Sequence, residues 1–196
     1  MISDIILLGP IGAGKSTLAT LLAERLGVPR CAMDVERWPY MQEAGYDPAV
    51  ADGIKKRDRH YGNVFAYWKR FEPHMVGRLL AEHRGCVIDF GAGQSVYEDE
   101  ADFARVQKAL ADYANVVLVL PSPDPAESLR VLKARVWDGV AGGFDFQEHF
   151  LNHPSNRRLA TLTVYTEGKT PDETCDEILR RLPLPFDAPN TQEKTL

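Results

Sequence analysis

The chain has 196 residues and a formal net charge of −5, which is long enough for one domain with a substantial hydrophobic core. An acidic balance offers no broad basic face to nucleic acid, so any anion-binding site must be local. Hydrophobic residues make up 44% of the chain and charged residues 26%, which is typical of a globular protein. We expect a single domain over residues 1–182, followed by a flexible tail at 183–196.

The cysteine pattern and the hydropathy of the chain indicate in which cellular compartment the protein is expected. Cys31, Cys86 and Cys175 are odd in number, far apart and without metal-ligand spacing. They are therefore expected to be reduced thiols, as in cytoplasmic proteins. The apolar segment Ile5–Leu8 is far too short to cross a membrane. These features favour a cytoplasmic protein, a monomer or weak dimer, with neither nucleic acid nor membrane as a partner.

Strand-like and helix-like segments alternate along the chain. Strands are predicted at Ile5–Leu8, 31–33, 86–90, 116–120 and Leu162–Tyr165. Helices are predicted at Lys15–Leu26, 103–113, Pro125–Arg135 and 171–182, with a largely helical, aromatic-rich substrate region at 36–84. Residues 136–156, which include Gly142 and Gly143, are expected to form an irregular lid. The alternation predicts a three-layer α/β/α fold around a central five-stranded parallel sheet.

Three of the predicted strands are followed by residue types that commonly bind ligands or take part in catalysis. The first ends at residues 9–17, the second at Asp34, and the third at residues 89–93. In parallel sheets, ligands bind beyond the carboxyl ends of the strands. We therefore expect these three segments to form one site.

The first strand end matches the phosphate-binding loop in full. Gly9-x-x-x-x-Gly14-Lys15-Ser16 lies between a predicted strand and a predicted helix. Glycines let the backbone N–H groups turn inward, and the helix dipole adds positive potential. Lys15 is expected to contact the β- and γ-phosphates of ATP, and Ser16 to bind Mg²⁺. The loop residues expected to bind the nucleotide are Gly9, Ile11, Gly12, Ala13, Gly14, Lys15, Ser16 and Thr17.

The segment beginning GPIGAGKSTLA resembles the start of shikimate kinases, small members of the nucleoside monophosphate kinase superfamily. The resemblance covers almost the whole chain, including Asp34, Arg70, the glycine turn at 91–93 and Arg130, and it ends near residue 171. It implies a P-loop NTPase fold. It also implies transfer of the γ-phosphoryl group of ATP to a hydroxyl group of a small acceptor.

The resemblance also implies roles in acceptor binding. Asp34 holds the acceptor hydroxyl and serves as its general base, as phosphoryl transfer requires; the alternative role for Asp34 is a helix N-cap. Arg70 grips a carboxylate of the acceptor. Gly91, Ala92 and Gly93 present backbone N–H groups to the same molecule.

Other residues match the nucleotide side of the family's site, or depart from it. Arg130 and the loop residues Lys169, Thr170 and Pro171 match the elements that sandwich adenine. The family's second aspartate is replaced by Ala32, so we assign Asp89 to the Mg²⁺ site. The family's Arg-Pro lid pair is missing, and Arg135 is the nearest candidate to close on the phosphates. Asn152 occupies the place of a substrate-binding arginine, and Arg157 is the candidate to replace it.

Three functions remain open from the sequence. The first is a shikimate kinase-like enzyme that phosphorylates a small alcohol. The second keeps this chemistry with a nucleoside, a nucleotide or an antibiotic-like metabolite as acceptor, which the aromatic residues between Trp38 and Phe71 favour. The third is a nucleotide-binding switch or weak NTPase that acts through a protein partner.

Overall fold

The computed structural model describes residues 4–57, 61–136, 140–141 and 144–183. Its strands, in chain order, are β1 (Ile5–Leu8), β2 (Arg30–Ala32), β3 (Val87–Asp89), β4 (Asn115–Leu120), β5 (Val140–Ala141), β6 (Phe144–Asp145) and β7 (Leu162–Tyr165). β5 and β6 form a short antiparallel hairpin, and the other five form one parallel sheet in the order β2-β3-β1-β4-β7.

Ten helices are described. They are α1 (Lys15–Leu26), α2 (Met33–Glu43), α3 (Pro48–Arg57), α4 (Tyr61–Lys69), α5 (Glu72–Glu82), α6 (Glu100–Leu110), α7 (Pro125–Arg135), α8 (Phe146–Asn152), α9 (Pro154–Leu159) and α10 (Pro171–Arg181). Helices α1 and α10 pack together, as do α5 and α6, and α1 also contacts β3. The predicted three-layer α/β/α fold with a five-stranded parallel sheet is confirmed.

The sequence of the central strands explains their position. β1 and β4 are buried along their whole length, as expected for strands covered on both faces. Their register matters for function: Leu7 of β1 and Ala32 of β2 both pair with Asp89 of β3. The segments that follow these three strands therefore emerge side by side at one edge of the sheet.

The second strand is one residue earlier than predicted. β2 ends at Ala32, and Met33 already begins α2, whose N-cap residue is Ala32. Asp34 therefore lies in the first turn of α2, where the helix dipole favours a carboxylate. The alternative role of Asp34 as the N-cap is wrong.

Part of the lid region is more regular than predicted. The hairpin β5–β6 and helices α8 and α9 lie within residues 136–156 or extend just beyond them. Side-chain caps explain these helices: Asp145 accepts a hydrogen bond from the Glu148 N–H, and His153 accepts one from the Ser155 N–H. Gly142 and Gly143, and the tail from residue 184 onward, lie outside the described residues.

The three cysteines are free and buried, as the sequence predicted. Burial raises the pKa of the Cys86 and Cys175 thiols to about 11, so both remain protonated at neutral pH. Within the described residues, no helix is both long enough and apolar enough to cross a membrane.

Candidate active site

The phosphate loop connects β1 to α1. Gly14, the N-cap residue of α1, has a φ of 98°, a conformation that favours glycine. A Cβ atom built on Gly14 would meet no atom within 4 Å, so open space faces the start of the helix. No side chain caps α1, which leaves its first N–H groups free for a phosphate.

Lys15 is held against this loop. Its ammonium donates hydrogen bonds to the carbonyl oxygens of Gly9 at 2.8 Å and Pro10 at 2.9 Å. Burial lowers the pKa of Lys15, while the carboxylates of Asp89 and Asp34 act in the opposite direction. The loop lysine and the carboxylates that follow β2 and β3 therefore share one electrostatic environment, as the strand ends predicted.

A cleft of about 390 Å³ opens beside the loop. It is lined by Ile11, Asp34, Arg37, Phe65, Trp68, Glu72, Ala92, Gly93, Gln94, Phe146 and Phe150. The lining combines aromatic walls with a few polar groups, which is the usual composition of a small-molecule site. Asp34, Ala92 and Gly93 were predicted to bind the acceptor, and the structure brings all three to this cleft.

Asp34 is oriented by Gln94. The Gln94 side-chain amide donates to Asp34 Oδ1 at 3.0 Å, and its carbonyl oxygen accepts from the Gly91 N–H at 2.7 Å. The Asp34 side chain remains 60% accessible and lines the cleft. Loss of water at this position raises the pKa of the Asp34 carboxyl, and the positive charges of Arg37 and Lys15 oppose that shift.

Position 91 must be glycine because any side chain there would collide with the Asp34 carboxylate. A Cβ atom at position 91 would lie 2.3 Å from Asp34 Oδ1, which is far inside van der Waals contact. A Cβ atom at Gly93 would lie 2.8 Å from the ring of Phe65. The glycine turn was predicted to present N–H groups. Its lack of side chains also makes room for the Asp34 carboxylate and for the Phe65 ring.

The arginine on the cleft wall is Arg37, whereas the sequence pointed to Arg70. Arg70 is exposed in the turn between α4 and α5, near the Phe71 ring, and it is not part of the cleft lining. Arg37 lies one helical turn after Asp34, with Nη1 at 3.5 Å from Asp34 Oδ1. The prediction for Arg70 is corrected because α4 ends at Lys69, and the turn directs the next side chain outward.

Lys69 holds the backbone of the glycine turn through a hydrogen bond. Its ammonium pairs with Glu72 at 2.5 Å, donates to the Gly93 carbonyl at 2.7 Å, and lies 3.9 Å from the centroid of the Tyr97 ring. Burial lowers the pKa of Lys69, and Glu72 acts in the opposite direction. The pair fixes the turn to the start of α5.

Helix α8, which lies in the segment predicted to form a lid, contributes Phe146 and Phe150 to the wall of the cleft. The Phe65 ring contacts the rings of Phe146 and Phe150, with centroid distances of 5.5 and 5.7 Å. These rings form a small hydrophobic cluster with Ile11 of the phosphate loop and with Ala92. The lid, the loop and the glycine turn therefore meet in one apolar contact.

A second cavity of about 180 Å³ lies on the other side of the loop. Its lining residues are Ala13, Gly14, Thr17, Leu18, Arg135, Thr166, Lys169, Pro171 and Thr174. Arg135 also donates to the Gly12 carbonyl at 3.3 Å, so it reaches the phosphate loop. Lys169 and Pro171 lie where a nucleotide base was predicted.

Two residues predicted for the nucleotide lie elsewhere. Arg130 is exposed and pairs with Glu127 one turn earlier on α7, and it does not line the cavity. Thr170 is the N-cap residue of α10, where it forms a reciprocal capping box with Glu173. A local structural role thus accounts for Thr170.

The predicted Mg²⁺ ligands are a hydroxyl group and a carboxylate. Ser16 is exposed at the start of α1, and Asp89 is buried at the end of β3. Both groups offer the oxygen atoms that Mg²⁺ prefers, so the donor set fits this ion. Asp89 Oδ2 accepts from Arg30 at 2.8 Å, and among the described residues nothing donates to Oδ1.

Arg157 does not reach the cleft. It is exposed on α9 and lines none of the described cavities. Its neighbour Asn156 is buried instead, where it accepts from the Ser95 hydroxyl at 2.6 Å and donates to the Phe150 carbonyl at 2.8 Å. Helix α9 therefore supports the lid helix rather than the acceptor.

Sequence reasoning missed several residues of the cleft. Gln94 and Arg37 carry no motif, although each follows a predicted site residue by one helical turn or less. Phe65, Trp68, Phe146 and Phe150 come from separate segments, and aromatic spacing alone favours core packing. Only the tertiary fold shows that these rings face a cavity.

The parallel sheet, its phosphate loop and the adjoining cleft define a P-loop kinase fold, and comparisons with known proteins agree. A family model described as an AAA domain matches residues 5–153, so the chain belongs to this family.

Curated relatives resemble the chain over nearly its whole length. A shikimate kinase of Saccharopolyspora erythraea is 28% identical over 179 residues, covering 90% of this chain and 92% of the relative. A shikimate kinase of Thermobifida fusca is 29% identical over 190 residues, covering 91% and 94%. The shikimate kinase-like character inferred from the sequence is confirmed.

A solved structure shows the same fold. Shikimate kinase from Acinetobacter baumannii in complex with shikimate aligns with a TM-score of 0.65 at 20% identity, covering 92% of each chain. At this identity, the similarity concerns the fold alone.

Replacing Lys15 tests the phosphate loop. We expect Lys15→Ala to lower kcat for ATP-dependent phosphoryl transfer by about a hundredfold or more, because the charge that stabilises the phosphates is lost. Steady-state assays of ADP formation measure this effect, and circular dichroism checks the fold. Lys108→Ala, on the exposed face of α6, is the matched control. A Lys15→Ala variant with near-normal turnover would contradict the assignment.

Replacing Gly91 tests the geometry around Asp34. We expect Gly91→Ala to lower phosphoryl transfer about tenfold or more, because its Cβ displaces the Asp34 carboxylate. Gly77→Ala is the control: position 77 lies within α5, with no atom within 4 Å of the new Cβ. This control should stabilise the protein by about 0.5–1 kcal/mol. Equal activity in both variants rules out the close approach as a constraint.

Proposed function

We propose that the protein transfers the γ-phosphoryl group of ATP to a hydroxyl group of a small acceptor bound in the 390 Å³ cleft. One observation carries the proposal: the Asp34 carboxylate lines this cleft and also lies close enough to Lys15 to oppose the lowering of the lysine pKa by burial. A base for an alcohol therefore lies at the cleft, within electrostatic reach of a cation for phosphates. That is the arrangement needed for phosphoryl transfer.

Each residue has a defined part. The free N–H groups of the loop and the Lys15 ammonium stabilise charge that develops on the phosphates. Asp34, held by Gln94, orients the acceptor hydroxyl and takes its proton. Arg135, which already contacts the loop, is placed to add positive charge from the lid side. Ser16 and Asp89 would hold Mg²⁺, which supplies charge neutralisation at the phosphate oxygens.

The shikimate kinase relatives support a small alcohol as acceptor. Shikimate itself is less well matched by this cleft, because its wall carries four aromatic rings and Arg37 is its one arginine among the described lining residues. Arg70 and Arg157, the arginines predicted to bind a carboxylate, are both outside it. The comparisons do not favour a nucleotide-binding switch that acts through a protein partner.

The function is tested by ADP formation with and without a panel of small alcohols. A true acceptor should stimulate ADP release and should itself gain phosphate, which phosphorus NMR detects. We expect Asp34→Asn to lower the stimulated rate by about a hundredfold or more, with unchanged ADP affinity in calorimetry. Asp112→Asn, in an exposed turn, is the control. A slow rate that no alcohol stimulates would instead indicate an NTPase.

The pH dependence tests the Gln94 contact. Asp34 acts only when deprotonated and its pKa lies above the ordinary value of 3.8. Activity should therefore be lost as the pH falls through that raised pKa. The Gln94 amide stabilises the charged form, so we expect Gln94→Leu to move the acid limb of the kcat/KM profile to higher pH. Gln107→Leu, exposed on α6, should not move it. An unchanged limb in Gln94→Leu refutes the positioning role.

A further inference from the structure

Arg37 is largely buried, and its Nε atom has no hydrogen-bond acceptor among the described residues. Its side chain is only 15% exposed, and its guanidinium lies 4.2 Å from the Trp38 ring centroid and 5.1 Å from that of Trp68. Its nearest carboxylate oxygen, Asp34 Oδ1, is 3.5 Å away, and Nε is shielded from solvent with no partner in the described chain. Leaving such donors unpaired is costly. A ligand oxygen atom beside the guanidinium would offset that cost.

The chemistry of the missing group follows from that of the guanidinium. A guanidinium packed against two indole rings presents a planar edge of N–H donors, which matches a carboxylate. Glu72, the other acidic residue of the cleft besides Asp34, is already paired with Lys69. Arg37 is the one arginine or lysine among the described lining residues, and its contact with Asp34 at 3.5 Å is longer than a normal hydrogen bond.

The walls of the cleft define the rest of the ligand. Phe65, Phe146 and Phe150 meet at angles between 48° and 78°, and Trp68 lies on the side of Arg37. Rings in such arrangements bind a planar apolar group by edge and face contacts. An open-chain polyol would leave these surfaces without an apolar partner.

The spacing of Arg37 and Asp34 restricts the ligand further. The two side chains are in contact at 3.5 Å, one turn apart on α2. A molecule that gives its anionic group to Arg37 and its hydroxyl to Asp34 must therefore carry both groups close together. Its ring then extends toward the phenylalanines.

Resting on the phosphotransferase function above, we propose that the acceptor is an aromatic hydroxy acid whose hydroxyl lies on the carbon next to the carboxylate. Arg37 binds the carboxylate of this acid, and the ring of the acid packs against the aromatic wall of the cleft. The hydroxyl oxygen forms a bond to the γ-phosphorus while the bond from that phosphorus to the bridging oxygen of ADP breaks. The hydroxyl proton passes to Asp34, and ADP leaves with the bonding electron pair.

Binding of simple probes to the full chain with ADP and Mg²⁺ tests the class. Calorimetry should show that mandelate binds about tenfold or more tightly than each of three analogues. Methyl mandelate lacks the charge, lactate lacks the ring, and para-(hydroxymethyl)benzoate separates the hydroxyl from the carboxylate. Shikimate, which lacks an aromatic ring, should also bind more weakly. If any of these four equals mandelate, or if mandelate does not bind, the proposal is overturned.

Variants identify the anchoring residue. Arg37→Gln should weaken mandelate about tenfold or more while changing the affinities for methyl mandelate and ADP by less than about twofold. Arg105→Gln, on the exposed face of α6, should leave all three unchanged. Unaltered mandelate binding in Arg37→Gln overturns the role of Arg37. ADP affinity serves as the check that the variant is folded.

Failure of this proposal can be separated from failure of the kinase assignment. If mandelate binds through Arg37 but no alcohol accepts phosphate, the ligand class stands and the phosphotransferase function fails. If another alcohol accepts phosphate while mandelate neither binds nor reacts, the kinase stands and the ligand class is refuted.

Discussion

The site depends on keeping one ammonium group charged in a nearly buried position. The phosphate loop removes Lys15 from water, which lowers the pKa of its ammonium, and the negative charges of Asp89 and Asp34 oppose that shift. Those two carboxylates end or follow strands that are neighbours in the sheet. The order β2-β3-β1 therefore brings both carboxylates close to the ammonium group of Lys15. When a phosphate group enters the loop, the Lys15 ammonium would donate to phosphate oxygens, which are stronger acceptors than the Gly9 and Pro10 carbonyls.

The acceptor side is organised by close approach rather than by charge. Gly91 lets the Asp34 carboxylate pass within a distance that no side chain would allow, and Gln94 then holds it. Below this turn, the Lys69–Glu72 pair fixes the backbone of Gly93. The two carboxylates thus differ in environment: Asp89 is buried against Arg30, whereas Asp34 lines the cleft. Such a difference suits one carboxylate to a metal site and the other to proton transfer.

The sequence was most informative where function requires a fixed local geometry. The phosphate loop, the strand ends and the glycine turn each need particular residues at fixed spacing, and all of them were predictable. Arg70 and Arg157 were misplaced because Arg70 lies in an exposed turn and Arg157 is exposed on α9, and resemblance carries no such detail. Arg37, Phe65 and Phe150 belong to the cleft through tertiary packing of separate segments. A single sequence does not encode that packing in a readable pattern.

The aromatic cluster shared by the phosphate loop, the glycine turn and α8 has an evolutionary consequence. Phe146 and Phe150 are both the hydrophobic core of the lid and the wall of the cleft. A mutation that reshapes the wall for a new metabolite therefore also changes how firmly the lid is anchored. A single substitution at Phe146 or Phe150 that changes substrate specificity would also change how α8 packs. New specificities would therefore have to arise through compensating pairs of substitutions.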